Sequence, residues 1–253
     1  MPLMPGAEPL AVGGGPIGAL VLHGFTGTPQ GVRDWGLALA DAGLTVTVPR
    51  LPGHGTRWQD MAKTRWTDWY GEAERAFDEL RRYCAAVFVC GLSMGGTLTL
   101  RLAEQRPSEV AGAIVVNASL ATERKDAKLL PLLRHIVPAF PGVANDIAKP
   151  GVTELAYAKM PLQAAYSLSK LWALTRADLS AITCPILSFR SAVDHVVEPV
   201  SGRVLSEGAT STTVTEQVLA DSYHVATLDN DAPTIFAESV AFVRAHSGAS
   251  VGS

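Results

Sequence analysis

Charged side chains are scarce in this sequence of 253 residues. They make up 18% of it, against about 25% in an average soluble domain. The 21 basic and 24 acidic residues leave a net charge of −3, and no long basic run is present. Because a nucleic-acid-binding protein carries a basic patch or stripe, we expect no nucleic-acid partner.

Long apolar runs are also missing, and we expect no leader segment. A membrane-spanning helix needs about 18 uninterrupted apolar residues, whereas the run at 85–90 has only the length of a strand. The first residues lack the basic stretch and the apolar core of a signal peptide. We therefore expect a soluble, cytoplasmic protein.

Cysteine is rare, and its spacing does not suggest a metal site. The three cysteines are Cys84, Cys90 and Cys184, an odd number without the close pairs that bind zinc. Cys90 and Cys184 fall at or beside apolar segments, where a buried, reduced thiol is common. No cluster of potential ligands stands out elsewhere, so we expect neither a metal ion nor an organic cofactor.

The sequence does contain short apolar segments that alternate with longer amphipathic ones. Strands are predicted at 17–22, 44–48, 86–90, 110–116, 185–189 and 213–219, and helices at 29–42, 66–83, 97–105 and 234–246. This alternation is typical of a parallel sheet covered by helices. The continuous apolar run at 110–116 predicts a strand that is buried on both faces.

Residues 119–182 interrupt this alternation. Short helix-like stretches are separated there by prolines, and no buried strand is evident. Helical insertions of this kind commonly gate the active sites of α/β enzymes. We therefore predict a single domain over residues 1–253 with a small helical cap inserted at 119–182. The alternative is a packed helical excursion that covers no site.

The most informative motif is GLSMG at 91–95, which lies between a predicted strand and a predicted helix. In that context G-x-S-x-G is a nucleophile elbow, a sharp turn that exposes its serine, here Ser93. The turn is so tight that the positions two before and two after the serine must be nearly free of side chain, as glycine is. The alternative is a glycine-rich turn whose serine only caps the helix.

A serine nucleophile needs a base that takes its proton and an acid that orients the base. In this type of fold both follow the serine, the acid first. His224 lies between the last predicted strand and the last helix, and Asp194 follows the preceding strand. Both are therefore expected with Ser93 at the carboxyl edge of the sheet. Asp178 and Asp221 are the alternative acids.

A tetrahedral intermediate also needs N–H donors for its oxyanion. Met94, the residue after the serine, supplies one. The loop HGFTG at 23–27 follows the first predicted strand, and Phe25 is the expected second donor because the glycines let the backbone turn inward. We interpret His23 as a brace of this loop and His54 as a structural loop residue.

These motifs resemble those of the bacterial monoacylglycerol lipase and carboxylesterase family of α/β-hydrolases. The matching segments are HGFTGTPQ at 23–30, PRLPGHGT at 49–56, GLSMGG at 91–96, GVTELAY at 151–157, DHVV at 194–197 and SYHVATLDND at 222–231. They extend over nearly the whole chain in the family's order. The resemblance implies an α/β-hydrolase fold. It also implies a catalytic triad of Ser93, Asp194 and His224, and an oxyanion hole formed by the N–H groups of Phe25 and Met94.

The resemblance also implies two substrate-binding residues in the cap. A cap glutamate of similar lipases hydrogen-bonds the glycerol hydroxyls, and Glu154 matches it. A branched residue that lines the acyl entrance corresponds to Val143. The alternative for Glu154 is a solvated carboxylate near Lys149 or Lys159, but both lysines are off the spacings that pair side chains along a helix.

The sequence therefore predicts a serine esterase that hydrolyses monoacylglycerols or similar small acyl esters through an acyl-enzyme. Because a fold does not determine chemistry, thioester hydrolysis, C–C bond hydrolysis and acyl transfer are alternatives. A non-catalytic ligand-binding protein that keeps the pocket is another. Apart from the substrate, the expected partner is a lipid surface that the cap contacts transiently.

Overall fold

A seven-stranded sheet forms the centre of the computed structural model, which describes residues 2–142 and 145–248. The strands are β1 (Leu10–Val12), β2 (Ile17–Leu22), β3 (Thr45–Val48), β4 (Ala86–Leu92), β5 (Val110–Val116), β6 (Ala139–Pro141), β7 (Lys159–Pro161), β8 (Ile186–Ser191) and β9 (Val214–Leu219). Their order in the main sheet is β1-β3-β2-β4-β5-β8-β9. Only the edge strand β1 pairs antiparallel in this sheet.

Helices cover both faces of the sheet. Those of the described residues are α1 (Gln30–Asp41), α2 (Trp58–Met61), α3 (Trp66–Arg81), α4 (Met94–Gln105), α5 (Leu130–Leu133), α6 (Leu162–Asp178), α7 (Val200–Gly208) and α8 (Ala232–Ser247). The described part of the chain also has three short 3₁₀ turns, at Lys125–Leu129, Leu179–Ala181 and Ala226–Leu228.

Two apolar cores result, because successive side chains of a strand point to opposite faces. In β2, Leu20 and Leu22 pack with the layer of α3, α4 and α6. Ala19 and Val21 pack on the other face with α1 and α8. The prediction of a mostly parallel sheet flanked by helices is confirmed.

Outside the insertion, one strand and two α-helices of the described residues were not predicted, and each carries a weak signal. β1 is a three-residue edge strand, and α2 is a single helical turn. Helix α7 contains Gly202 and ends on Gly208, and glycine is a poor helix former. None of these elements contributes a predicted site residue, so their omission leaves the placement of the site unchanged.

The predicted insertion at 119–182 differs in detail from a helical cap. It contains α5 and α6, but also an antiparallel pair formed by β6 and β7. Each of these strands has three residues and ends on a proline, which short edge strands tolerate because no ladder N–H is needed there. Helix α6 packs against α3 and α4, so it belongs to the helical layer of the main body.

All three cysteines are free and buried. Cys90 lies in β4 with no exposed area, and Cys84 and Cys184 are 5% and 6% exposed. Burial raises the pKa of each thiol, that of Cys184 to about 12. The thiolate is the reactive form of cysteine, so none of the three is poised to react.

The described helices include none with the length and apolarity that crossing a bilayer requires.

Candidate active site

Ser93 lies at the turn between β4 and α4, in a strained conformation. Its φ of 55° and ψ of −117° are sparsely populated by residues with a side chain, at a cost of about 1–3 kcal/mol. A Cβ added to Gly91 would overlap the backbone of Gly95, and one added to Gly95 would overlap the Leu22 carbonyl. The predicted steric reason for both glycines therefore holds in the structure.

His224 and Asp194 form the best-defined pair of the site. His224 Nδ1 lies 2.8 Å from Asp194 Oδ2, and the two side chains are 8% and 7% exposed. The other carboxylate oxygen accepts the Val196 and Val197 N–H groups at 2.8 and 2.7 Å. Burial acts to raise the pKa of Asp194, but the hydrogen bond from His224 and these two amides hold it below its ordinary value.

This pair determines which imidazole nitrogen carries the proton. Because Asp194 is ionised, His224 donates from Nδ1, which leaves Nε2 as a proton acceptor. Among the described residues no hydrogen bond joins His224 Nε2 to the Ser93 hydroxyl. Such bonds are often long in unliganded enzymes and tighten when substrate binds. The structure thus brings the acid and the base together and leaves the contact to Ser93 open.

Asn117 is a site residue that the sequence reasoning missed. It directly follows β5 with a φ of 46°. Its side-chain amide donates to the His224 carbonyl at 2.8 Å, and its Oδ1 accepts the Ser191 N–H at 2.8 Å. Asn117 therefore joins the end of β8 to the histidine loop. The available signal was its position, a polar residue directly after a continuous apolar strand.

The two expected oxyanion donors lie on either side of Ser93. Met94 begins α4, and a Cβ added to Gly24 would lie 3.5 Å from the Ser93 Cβ, so the loop that carries Phe25 packs against the serine. The Phe25 ring packs edge-on against Trp69 with ring centres 5.7 Å apart. Within the described part of the chain neither N–H donates to another protein group. Both N–H groups therefore remain candidates for the oxyanion hole.

His23 braces this loop from inside the protein. Its Nδ1–H donates to the Gly24 carbonyl at 3.0 Å, and its Nε2 accepts the Leu51 N–H at 3.1 Å. Burial lowers the pKa of His23 to about 4, and the positive charge of Arg50 acts in the same direction. The ring of His54 lies 5.0 Å away, and burial lowers its pKa as well. Both rings are neutral at pH 7.

We expect the free energy of unfolding to decrease as the pH falls from about 6.5 to about 4. The unfolded chain protonates His23 with an ordinary pKa near 6.5, whereas the folded protein protonates it only near 4. Between these values the unfolded state binds more protons, so unfolding becomes easier as the pH falls. Thermal midpoints of the wild type and of His23→Gln, measured across this range, test the effect. Equal pH slopes for both proteins would contradict it.

The Glu154 carboxylate lies against the same loop, not beside a lysine. A Cβ added to Gly27 would be 2.7 Å from Glu154 Oε1. Burial raises the pKa of Glu154 to about 7, and the charge of His224 acts to lower it. Among the described ion pairs none joins Glu154 to Lys149 or Lys159, and the Lys159 ammonium lies 5.5 Å from the centre of the Trp58 ring. The second cap residue, Val143, lies outside the described residues.

The alternative acids lie elsewhere. Asp178 Oδ2 is 2.6 Å from Arg101 Nη1, and Asp221 is exposed in a turn. His195, the neighbour of Asp194, pairs with Asp146 at 2.7 Å. Among the described residues none of the three makes a side-chain hydrogen bond to His224.

A cavity of about 280 Å³ lies between the ends of β5 and β8 and the start of α7. Asp194 lines it, but neither Ser93 nor His224 does, so the cavity lies behind the acid and away from the expected chemistry. No group of three or more His, Cys, Asp or Glu side chains within 2–142 and 145–248 is arranged to hold a metal ion.

The chain is similar in sequence and in structure to several known proteins. The sequence matches the family described as serine aminopeptidase S33 over residues 18–231. It is 42% identical over 250 residues to the thermostable monoacylglycerol lipase of Bacillus sp. (strain H-257), covering 98% of each chain. It is 25% identical to a carboxylesterase of Bacillus subtilis (strain 168), covering 88% of this chain and 91% of the relative. A solved structure of a metagenome-derived lipolytic enzyme has a TM-score of 0.94 at 41% identity, covering 97% of this chain and 100% of the other.

Proposed function

We propose that this chain, which belongs to the α/β-hydrolase family of bacterial monoacylglycerol lipases and carboxylesterases, hydrolyses monoacylglycerols through an acyl-enzyme. It is a serine hydrolase of carboxylic esters. The observation that carries the mechanism is the buried His224–Asp194 pair, 2.8 Å apart, at the sheet edge where the Ser93 elbow also lies.

In the first step, Ser93 Oγ attacks the ester carbonyl carbon while His224 Nε2 takes the hydroxyl proton. Asp194 holds the imidazole in the required tautomer and stabilises its positive charge. The Phe25 and Met94 N–H groups donate to the oxyanion of the tetrahedral intermediate. The intermediate collapses when His224 returns the proton to the glycerol oxygen, so the C–O bond breaks and glycerol leaves.

In the second step, a water molecule takes the place of glycerol. His224 Nε2 removes a proton from this water as its oxygen attacks the acyl carbon. The same two N–H groups bind the second oxyanion. His224 then protonates Ser93 Oγ, and the fatty acid is released.

Glu154 is proposed to recognise the glycerol hydroxyls. Its carboxylate lies next to Gly27 on the oxyanion loop and close enough to His224 for the imidazolium charge to act on it. It has no hydrogen-bond partner among the described residues, so it is free to accept from a substrate. Above about pH 7, where the Glu154 carboxyl is ionised, a hydrogen bond to it contributes about 1.5–3 kcal/mol.

The part of the insertion before α6, residues 119–161, is proposed as the cap. Its Tyr157 N–H donates to the Thr26 carbonyl at 3.0 Å, which joins the insertion to the oxyanion loop. This segment carries four exposed apolar side chains, Leu129, Leu132, Ile136 and Phe140, exposed by 55%, 64%, 72% and 39%. Apolar side chains grouped on a surface are typical of a contact with lipid or protein, which supports transient contact with the lipid that presents the substrate.

Replacing Glu154 by alanine should lower kcat/KM on a monoacylglycerol about tenfold to a hundredfold, because the hydrogen bond to the glycerol is lost. A nitrophenyl ester of the same acid lacks these hydroxyls, so its hydrolysis should stay within about twofold. Glu154→Gln keeps an acceptor but cannot ionise. In the wild type, but not in Glu154→Gln, we expect the rate on the monoacylglycerol to rise relative to the rate on the nitrophenyl ester as the pH increases through about 7, because Glu154 then ionises.

The same assay tests the function when a thioester of the same acid is added as a third substrate. We expect the monoacylglycerol to be turned over faster than the thioester. A clear preference for the thioester, or a single acylation of Ser93 without turnover, would overturn the proposal. Equal losses on the glycerol ester and the nitrophenyl ester in Glu154→Ala would remove the proposed role of Glu154 only.

A further inference from the structure

A short piece of the insertion, residues 145–149, is bound to the loop that carries His224. Much of this contact depends on Asp229, which is 1% exposed. Its carboxylate accepts four backbone N–H groups, from Ala148 at 2.7 Å, Lys149 at 2.8 Å, Tyr223 at 2.9 Å and Asn230 at 2.8 Å. Because a buried charge is costly unless it is fully hydrogen-bonded, these four donors stabilise the junction.

Asp146, within this piece, bonds to both loops that carry the acid and the base. Its Oδ2 accepts the His224 N–H and the His195 N–H, each at 3.1 Å. Its Oδ1 pairs with the His195 ring at 2.7 Å, and its carbonyl accepts the Val225 N–H at 3.1 Å. The side chain is only 10% exposed. Since His195 follows Asp194 directly, a single carboxylate joins the two loops on which the pair stands.

We infer that Asp146 is a positioning residue that sets the geometry of the His224–Asp194 pair. This inference rests on the proposed function, in which that pair activates Ser93. Among the described residues, three other contacts join the loops after β8 and β9, apart from the pair itself. Asn117 bonds to both, the Ser191 hydroxyl donates to the Tyr223 carbonyl at 2.8 Å, and the His195 and Tyr223 rings pack edge-on. A displacement of about 1 Å in a reacting group can cost about a hundredfold in rate. Asp146 therefore acts on the rate through the position of His224 and not through the substrate.

Glu198 provides a matched comparison, because it also ties the insertion to the main body. Its carboxylate accepts the Thr122 hydroxyl at 2.5 Å and the Glu123 N–H at 2.8 Å. It lies on the same chain segment as Asp194, four residues further on, but it makes no hydrogen bond to the histidine loop among the described residues. Loss of Glu198 loosens the insertion without touching the pair.

The test measures kcat and KM on a soluble nitrophenyl ester, together with the thermal midpoint, in Asp146→Ala, Asp146→Asn, Glu198→Ala and Ser93→Ala. We expect Asp146→Ala to lower kcat at least about tenfold at a KM within about threefold of wild type. Asp146→Asn should restore most of kcat, because its amide oxygen still accepts both N–H groups and its NH₂ donates to the His195 ring. Glu198→Ala should lower the thermal midpoint and leave kcat near wild type.

A wild-type kcat in Asp146→Ala overturns the inference. So does the result that Asp146→Ala and Glu198→Ala lose the same amount of thermal midpoint and Asp146→Ala has a kcat no lower than that of Glu198→Ala. If Asp146→Ala does not fold, Asp146→Ser is measured in its place, because the serine hydroxyl is too short to reach both loops. A wild-type kcat in Asp146→Ser likewise overturns the inference. Ser93→Ala distinguishes a failure of the proposed function from a failure of the inference about Asp146. Turnover without the serine removes the proposed function and this inference with it, whereas an inactive Ser93→Ala beside a fully active Asp146→Ala removes this inference alone.

Discussion

Replacing Ser93 by alanine is expected to lower the kcat for a nitrophenyl ester by about 10⁵–10⁶-fold, the scale of losing the nucleophile of a serine hydrolase. Without Oγ no acyl-enzyme forms, and the His224–Asp194 pair has no hydroxyl to activate. The fold should be retained, because alanine and serine bear a similar strain at a φ of 55°. The neighbouring glycines admit the turn as before. Turnover and labelling by a fluorophosphonate probe are the two measurements.

Ser239→Ala is the matched control for this change. Ser239 is buried, as Ser93 is, but it lies in α8, where its hydroxyl accepts from Trp35 Nε1 at 3.0 Å. Its loss should cost about 1 kcal/mol of stability and leave both labelling and turnover unchanged. A Ser93→Ala protein that still reacts with the probe or turns over the ester would show that another residue is the nucleophile.

Asp194→Asn is expected to lower kcat about 10⁴-fold while the protein stays folded. The asparagine oxygen can still accept the Val196 and Val197 N–H groups, so the loop keeps its shape. Its NH₂ then faces His224 Nδ1 and forces the proton onto Nε2. An imidazole in that tautomer cannot accept the proton of Ser93. The loss should appear in kcat with little change in KM, since Asp194 does not contact the substrate.

Asp221→Asn is the control that tests whether Asp194 or the alternative, Asp221, is the acid that orients His224. Asp221 is exposed and makes no side-chain contact with His224, so its variant should match the wild type in kcat. If Asp221→Asn were the impaired variant and Asp194→Asn the active one, the assignment of the acid would have to be exchanged. Circular dichroism and thermal midpoints of both variants exclude a loss through unfolding.

The predicted site follows from signals that are local in the chain. Continuous apolar segments such as 110–116 are strong indicators of buried parallel strands. The carboxyl ends of such strands meet at one edge of the sheet. Polar residues that follow a strand, such as Asp194 and His224, can therefore be grouped from the sequence alone. The elbow can be located because the steric demand of its turn leaves a glycine pattern in the sequence.

The residues that hold this site together leave no such pattern. Asp146 is 49 residues from His195 and 78 from His224 in the chain. A carboxylate that accepts backbone N–H groups requires no particular side chain on the residues that donate to it, so neither spacing nor composition identifies the partner. The pair β6–β7 was missed for a related reason, because three residues are too few to show the alternation of a strand.

The burial of all three cysteines makes the chain convenient for site-specific spectroscopy. Cys84, Cys90 and Cys184 are at most 6% exposed, so a maleimide or a nitroxide reagent reaches none of them in the folded protein. A cysteine introduced in place of Ile136, which is 72% exposed in the proposed cap, would then be labelled without any reaction at the native thiols. With a second cysteine introduced on α8, the distance between the two labels would follow the position of the proposed cap during turnover, with every native thiol left in place.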